Sequence, residues 1–245
     1  MDVPESLEPR MNATADGMVL YDARFGKPLD GSFSPAWWAE QGQMQGGAPG
    51  RGTTVFVRDG ERELALRHYQ RGGMFGRLLG DRYLWTGLDN TRPWREWHML
   101  AELYQQGLSV PRPVAARCVR RGLFYRADLL TERLPGQTLA QWLAEGPLAA
   151  GQAEAMGRCI RRFHRAGVFH ADLNARNILL DEAGGVSLID FDKGELRPPG
   201  AWQQQNLVRL RRSLEKFQRQ SQQQNASFHF NETVWQAILA GYEGD

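Results

Sequence analysis

The chain has 245 residues, enough for one large domain or two small lobes, and its 42% hydrophobic and 24% charged content is ordinary for a globular protein. A net charge of +2 excludes a strongly cationic nucleic-acid binder, although the basic residues are nearly all arginine and the only lysines are Lys27, Lys193 and Lys216. Cys118 and Cys159 show neither metal-ligand spacing nor a disulfide framework, and no run of about 18 apolar residues occurs, which excludes an ordinary spanning helix. A reducing cytosol is the simplest compartment, and the acidic N-terminal stretch, without a continuous apolar region, does not look like a secretory signal.

In chain order, residues 19–21 read as a short strand and residues 35–45 as one or two helical turns, with Trp37 and Trp38 as packing anchors. Residues 46–57, GGAPGRGTTVFV, begin with glycines that let backbone N–H groups approach an anion closely, Gly50 and Gly52 among them. Val55 and Val57, then Leu64 and Leu66, alternate around Asp59-Gly60, which predicts a β-hairpin. Residues 71–85 mix glycine, arginine and bulky apolar groups; they read as an internal loop or as a contact for anionic lipid headgroups. Pro93 at a start and Gly107 at a stop predict a helix over 93–106, with Trp97, Leu100 and Leu103 on one face. Residues 114–119 and 123–131 make a second hairpin that turns near Arg121-Gly122, and residues 132–136 form a boundary.

Beyond that boundary the pattern turns helical. Thr138 caps a short helix containing Leu139, Trp142 and Leu143, and a longer one runs over 150–166 with Met156, Ile160 and Phe163 inward. His164 reads as a satisfied structural histidine, since no further ligand pattern accompanies it. Residues 206–219 carry Leu207, Leu210, Leu214 and Phe217 along one face and Arg209, Arg211, Arg212, Lys216 and Arg219 elsewhere, so the helix fits either a solvated lobe surface or a membrane surface. Residues 218–227 read as a polar loop and 232–242 as a final helix.

The stretch that organises the chain is HADLNARNILLDEAGGVSLIDF, residues 170–191. Its apolar segments 178–180 and 186–189 flank a tight turn and predict a hairpin. Asp172 and Asn177 precede the first strand and Asp190 ends the second, so the hairpin gathers two carboxylates and an amide. Such oxygen ligands suit magnesium, which usually keeps several waters and substrate phosphates.

The pattern H-x-D-x-x-x-x-N followed by an apolar-flanked Asp resembles the catalytic segment of the protein-kinase-like superfamily. The resemblance implies an α+β, two-lobed fold: a small β-rich N-lobe over 1–133, a mostly helical C-lobe over 134–245 with a short activation segment, and one nucleotide cleft. It implies ATP and Mg2+ as cofactors, Asp172 as the residue that orients or deprotonates the acceptor hydroxyl, and Asn177 and Asp190 as metal ligands. Gly50 and Gly52 stand in the phosphate-covering loop, with Val55 where a third glycine is usual. Arg67 takes the place of the phosphate-binding lysine, and Glu96, set in E-x-x-x-L-x-x-L, is preferred to Glu102 as its partner. No Ala-Pro-Glu anchor follows Asp190, and Asn174 replaces a lysine common in protein kinases, which favours a small-molecule or glycan acceptor. Arg176, Lys193 and Arg197 are placed to meet an anionic one.

The stretches LRHYQRGG, VPRPVAARCVRRGLFYRADLLTERLPG, FHADLNARNILL, IDFDKGELR and NLVRLRRSLEKF resemble the 3-deoxy-D-manno-octulosonic acid (Kdo) kinases among the bacterial lipopolysaccharide kinases, from about residue 51 to 217. That resemblance implies phosphorylation of the Kdo 4-hydroxyl on a Kdo–lipid A precursor, a glycolipid, by a peripheral protein at the cytoplasmic face of the inner membrane. No nucleic acid and no protein partner is implied. Arg67 belongs to this family pattern. A heptose kinase of the lipopolysaccharide core is the nearest alternative, and a nucleotide-binding pseudokinase acting as an interaction module is the alternative of another class.

Overall fold

The computed structural model describes residues 5–15, 17–29, 31–47, 53–71 and 80–244. Gly50 and Gly52, and most of the 71–85 stretch, lie outside the described residues. The chain divides into two compact units, Met1–Gly107 with Pro111–Arg133, and Leu108–Val110 with Leu134–Asp245.

The first unit is built on an antiparallel sheet of eight strands: β1 (Pro9–Ala13), β2 (Met18–Asp22), β3 (Met44–Gly47), β4 (Thr53–Asp59), β5 (Arg62–His68), β6 (Tyr83–Leu84), β7 (Pro113–Arg121) and β8 (Phe124–Glu132). The strand order is β1-β2-β7-β8-β5-β4-β3, with β6 beside β8. Two hairpins form its centre, each turning on a glycine in left-handed conformation, Gly60 at φ +61 and Gly122 at φ +60. Side chains alternate across a strand, so Leu64 and Leu66 of β5 enter a core with Val57, Val114, Leu130, Phe33 and Trp38. The same alternation turns Arg67 to the opposite face. Trp38 is an anchor there, its indole N–H donating to Ser32 O at 2.8 Å, and Trp37 packs edge-on against it. Helix α1 (Pro35–Glu40) is capped by Ser34, and helix α2 (Arg92–Gln105) starts on Pro93 and buries Trp94, Trp97, Leu100 and Leu103. Strand β1 is not predicted from sequence because PRMNA buries none of its five side chains and so shows no alternation.

The second unit contains β9 (Gln137–Thr138), α3 (Leu139–Glu145), α4 (Ala150–Arg165), β10 (Val168–Phe169), β11 (Ile178–Leu180), β12 (Val186–Leu188), β13 (Glu195–Leu196), α5 (Trp202–Gln223) and α6 (Glu232–Glu243). Thr138 and Gln141 form a reciprocal capping box at the start of α3. Helices α4 and α6 touch through glycines: a Cβ at Gly157 would lie 2.0 Å from Ile238 O, and one at Gly241 2.0 Å from Glu154 O. The residues Leu108–Val110 belong to this unit because Leu188 N donates to Ser109 O at 3.0 Å and the Ser109 and Ser187 hydroxyls meet at 2.7 Å. Helix α5 runs on to Gln223 through the stretch read from sequence as a polar loop. Glutamine is a good helix former, and Gln218 is tied down by donating to Phe230 O at 2.6 Å.

Candidate active site

In the second unit, β11 and β12 pair in the register Ile178↔Leu188, and Ile189 N donates to Asn177 O at 3.0 Å. That register sets Asn177 beside the end of the returning strand, one residue from Asp190. Asn177 also donates its side-chain N–H to Asp172 O at 2.9 Å, which closes the loop between them. The hairpin therefore brings Asp172, Asn177 and Asp190 together from within one local segment. Asn177 is buried, Asp190 half-buried and Asp172 exposed. Asp190 takes φ +63, a left-handed backbone unusual for a residue other than glycine, and such conformations cluster at functional sites.

His170 fastens this loop to the strand end. Its Nδ1 accepts from Asp172 N at 3.2 Å and its Nε2 lies 3.0 Å from Ile189 O, so the proton sits on Nε2. Burial pushes its pKa below the ordinary histidine value, which keeps the ring neutral in that tautomer. The ring packs on Phe191, itself stacked on Phe163. His164 is structural as well: it bonds Tyr242 Oη at 2.8 Å, and burial lowers its pKa to about 4.

Helix α5 grips the loop from behind. Buried Asn206 accepts from His170 N at 3.3 Å and donates to His170 O at 3.0 Å. Ser213 Oγ, two turns on, accepts from Ala175 N at 3.2 Å. Between them, Arg209 Nη1 lies 3.9 Å from Asp172 Oδ1. The sequence alone assigns none of these three a role. Helix amphipathicity marks Asn206 as near the buried face, but no local signal says which loop the face meets. Of the cations expected near an anionic acceptor, Arg197 is engaged twice by Glu195 at 2.9 and 2.7 Å and lies over Phe169. Arg176 lies over Phe217, and Lys193 is exposed at φ +61.

In the first unit, Arg67 Nη1 donates to Glu96 Oε1 at 3.1 Å, and Tyr69 Oη donates to Glu96 Oε2 at 2.5 Å. Glu96 is almost dry and Arg67 about one-fifth exposed, with its guanidinium over the Tyr69 ring at 4.6 Å. Glu102 instead accepts from Gln106 one turn along the same helix.

The donor set in the second unit fits magnesium. Asn177 spends its N–H on the loop, which leaves its amide oxygen for a cation, and Asp190 follows directly on the Ile189 N–H that donates to Asn177 O. Among the described residues no group of three or more His, Cys, Asp or Glu side chains is placed to hold a metal alone. Two protein oxygens suit an ion that completes its shell with water and substrate phosphate. No helix among the described residues is long and apolar enough to cross a membrane.

A mixed α+β fold with a β-sheet-rich first unit, a mainly helical second unit and an H-x-D-x-x-x-x-N loop ahead of an aspartate-ending hairpin is that of the kinase-like phosphotransferases. The pattern of the lipopolysaccharide kinase (Kdo/WaaP) family matches residues 35–242, and the chain belongs to that family. It is thus a phosphotransferase with an alcohol group as acceptor, and ATP is the phosphoryl donor that a kinase family implies. A 3-deoxy-D-manno-octulosonic acid kinase of Photobacterium profundum is 45% identical over 212 residues, covering 86% of this chain and 88% of the relative. Proteins of the same name from Vibrio vulnificus and Xylella fastidiosa are 41% and 44% identical, covering 92% and 88% of this chain and 94% and 87% of theirs.

Proposed function

We propose that the protein transfers the γ-phosphoryl group of ATP to the 4-hydroxyl of Kdo on a Kdo–lipid A precursor, in lipopolysaccharide core biosynthesis. The observation that carries this reading is the gathering of Asp172, Asn177 and Asp190 by one hairpin, in a chain whose relatives are named for this sugar. Phosphoryl transfer asks the protein mainly for positioning and charge stabilisation. Asp172, exposed at the loop tip, accepts or hydrogen-bonds the acceptor's hydroxyl proton while His170 and Asn177 hold its backbone. Asn177 and Asp190 hold Mg2+, which when bound neutralises charge on the phosphate oxygens. Arg67, oriented by Glu96 and Tyr69, hydrogen-bonds phosphate oxygens through the edge of its planar fork. Gly50 and Gly52 complete this assignment as the phosphate-covering loop. A glycolipid acceptor places the protein peripherally at the cytoplasmic face of the inner membrane; that fits the basic α5 surface and the lack of a spanning helix among the described residues.

The test incubates the protein with Mg2+, γ-labelled ATP and a Kdo-bearing lipid A precursor, beside the Kdo-free lipid. Label is expected only in the Kdo-bearing lipid. Asp172→Asn is expected to fold normally and to lower turnover by roughly 10²–10⁴-fold as general-base help is lost. Near-normal turnover in that variant sinks the role of Asp172, and transfer to heptose but not Kdo would reassign the acceptor.

A further inference from the structure

We propose that Arg209 binds the carboxylate of the acceptor sugar and so makes the site selective for a sugar acid over a neutral sugar. The proposal rests on the reading above that Asp172 meets the acceptor hydroxyl and that the acceptor is a Kdo sugar, a carboxylic acid. An acid whose hydroxyl docks at the Asp172 carboxylate brings a second negative charge to within about one sugar ring of the first, and like charges that close oppose each other. A cation between them is needed, and Arg209 Nη1 stands 3.9 Å from Asp172 Oδ1.

Three features suit Arg209 to that task. First, it is held in phase: Asn206 binds both the N–H and the carbonyl of His170, and Ser213 accepts from Ala175 N, so the helix is pinned to the loop on either side of position 209. Second, its contact with Asp172 is too long for a hydrogen bond, and both side chains are more than half exposed, 53% for Arg209 and 64% for Asp172. Such a pair is weak on its own, and it leaves most of the guanidinium fork for an incoming carboxylate, the geometry that Arg recognises bidentately. Third, two nearby cations are committed elsewhere. Arg211 is bonded to Glu215 at 3.0 Å and Glu232 at 2.8 Å, and Arg197 is tied to Glu195.

The experiment compares two acceptors, the Kdo-bearing glycolipid and the same molecule with its carboxyl reduced to the primary alcohol. They are assayed with wild type, Arg209→Gln, Arg209→Lys and Arg212→Gln, which removes a second, exposed charge from the same helix. Wild type is expected to prefer the acid. Arg209→Gln should raise KM for the acid roughly ten- to a hundredfold, as for a lost charged hydrogen bond, and so collapse the preference. Arg209→Lys should restore part of it, and Arg212→Gln should keep it. An equal loss on both acceptors in Arg209→Gln, carried by kcat, would show that Arg209 acts through Asp172 and overturn the proposal. So would an unchanged preference. If wild type phosphorylates neither Kdo acceptor, the function assigned above fails instead, and the two failures are told apart by the wild-type reaction alone.

Discussion

In the first unit Glu96 is almost fully buried and its two oxygens are taken by Arg67 and Tyr69, whereas in the second Asp172 projects into solvent and is held through its main chain. In the function proposed above, the difference follows from what each group is asked to do. A carboxylate that fixes a phosphate-binding arginine works best when its own geometry is over-determined, and burial with two donors achieves that. A carboxylate that must meet an acceptor hydroxyl has to stay accessible, so precision is transferred to the backbone beneath it. His170, Asn177 and Asn206 supply that precision without occupying the Asp172 oxygens. Charge in one unit is locked by side chains, and in the other by the loop that carries it.

Breaking the lock in the first unit should have the largest effect on stability. Glu96→Ala removes the carboxylate that pairs with a mostly buried guanidinium and accepts from the Tyr69 hydroxyl, and should destabilise the protein by about 3 kcal/mol, the lower end for breaking a buried pair because Arg67 retains some solvent. Urea unfolding measures this, and a cost below about 1 kcal/mol would mean the pair is no more than a surface contact. In the second unit Asn206→Ala removes both bonds to the buried His170 main chain. We expect a loss of roughly 2 kcal/mol together with a fall in kcat that exceeds any rise in KM for ATP. Unchanged kcat in that variant would dissociate the clamp from catalysis.

Two smaller effects sharpen the same contrast. Thr138→Ala deletes the capping box of α3 and should cost about 1 kcal/mol with no change in KM, since the cap touches neither charged set. The finest test is of pH. The hydrogen bond that His68 donates to Asp128 raises the His68 pKa above its ordinary value of 6.5 against the opposing effect of burial, with Asp81 on the other ring nitrogen adding to the rise. A raised histidine pKa means that the folded state binds the proton more tightly. Its stabilising contribution is therefore complete below about pH 6.5 and is lost as pH climbs through the folded value. Unfolding free energy followed upward from about pH 6 should decline through that window, and His68→Gln should flatten the decline. An equal slope in both proteins would assign it to other groups.

The two charged sets were not equally legible. Asp172, Asn177 and Asp190 lie within 19 residues of sequence, and their approach needs only one hairpin whose register is written in 178–180 and 186–188. The Arg67–Glu96 pair spans 29 positions; no local periodicity predicts it, and only the resemblance to a kinase pattern named the two partners. The main helices and the central hairpins were readable from apolar spacing, Pro93, Thr138 and the turn glycines. Strand β1 was not, because an exposed edge strand carries no alternation, and the far end of α5 was not, because a polar run does not reveal that Gln218 is anchored at Phe230.

By itself, then, the sequence determined the local chemistry: a hairpin that gathers two carboxylates and an amide, the helices that follow, and the family whose pattern they carry. Tertiary structure alone decided how that chemistry is supported. Asn206, Arg209 and Ser213 meet the loop at 170–175 only because α5 presents one face to it, more than 30 residues further along the chain. Which face a helix turns, and to which loop, depends on the packing of Leu207, Leu210 and Leu214 into the rest of the unit. The spacing of the leucines marks the buried face, but which loop that face meets is a property of the folded core that no spacing within the helix encodes.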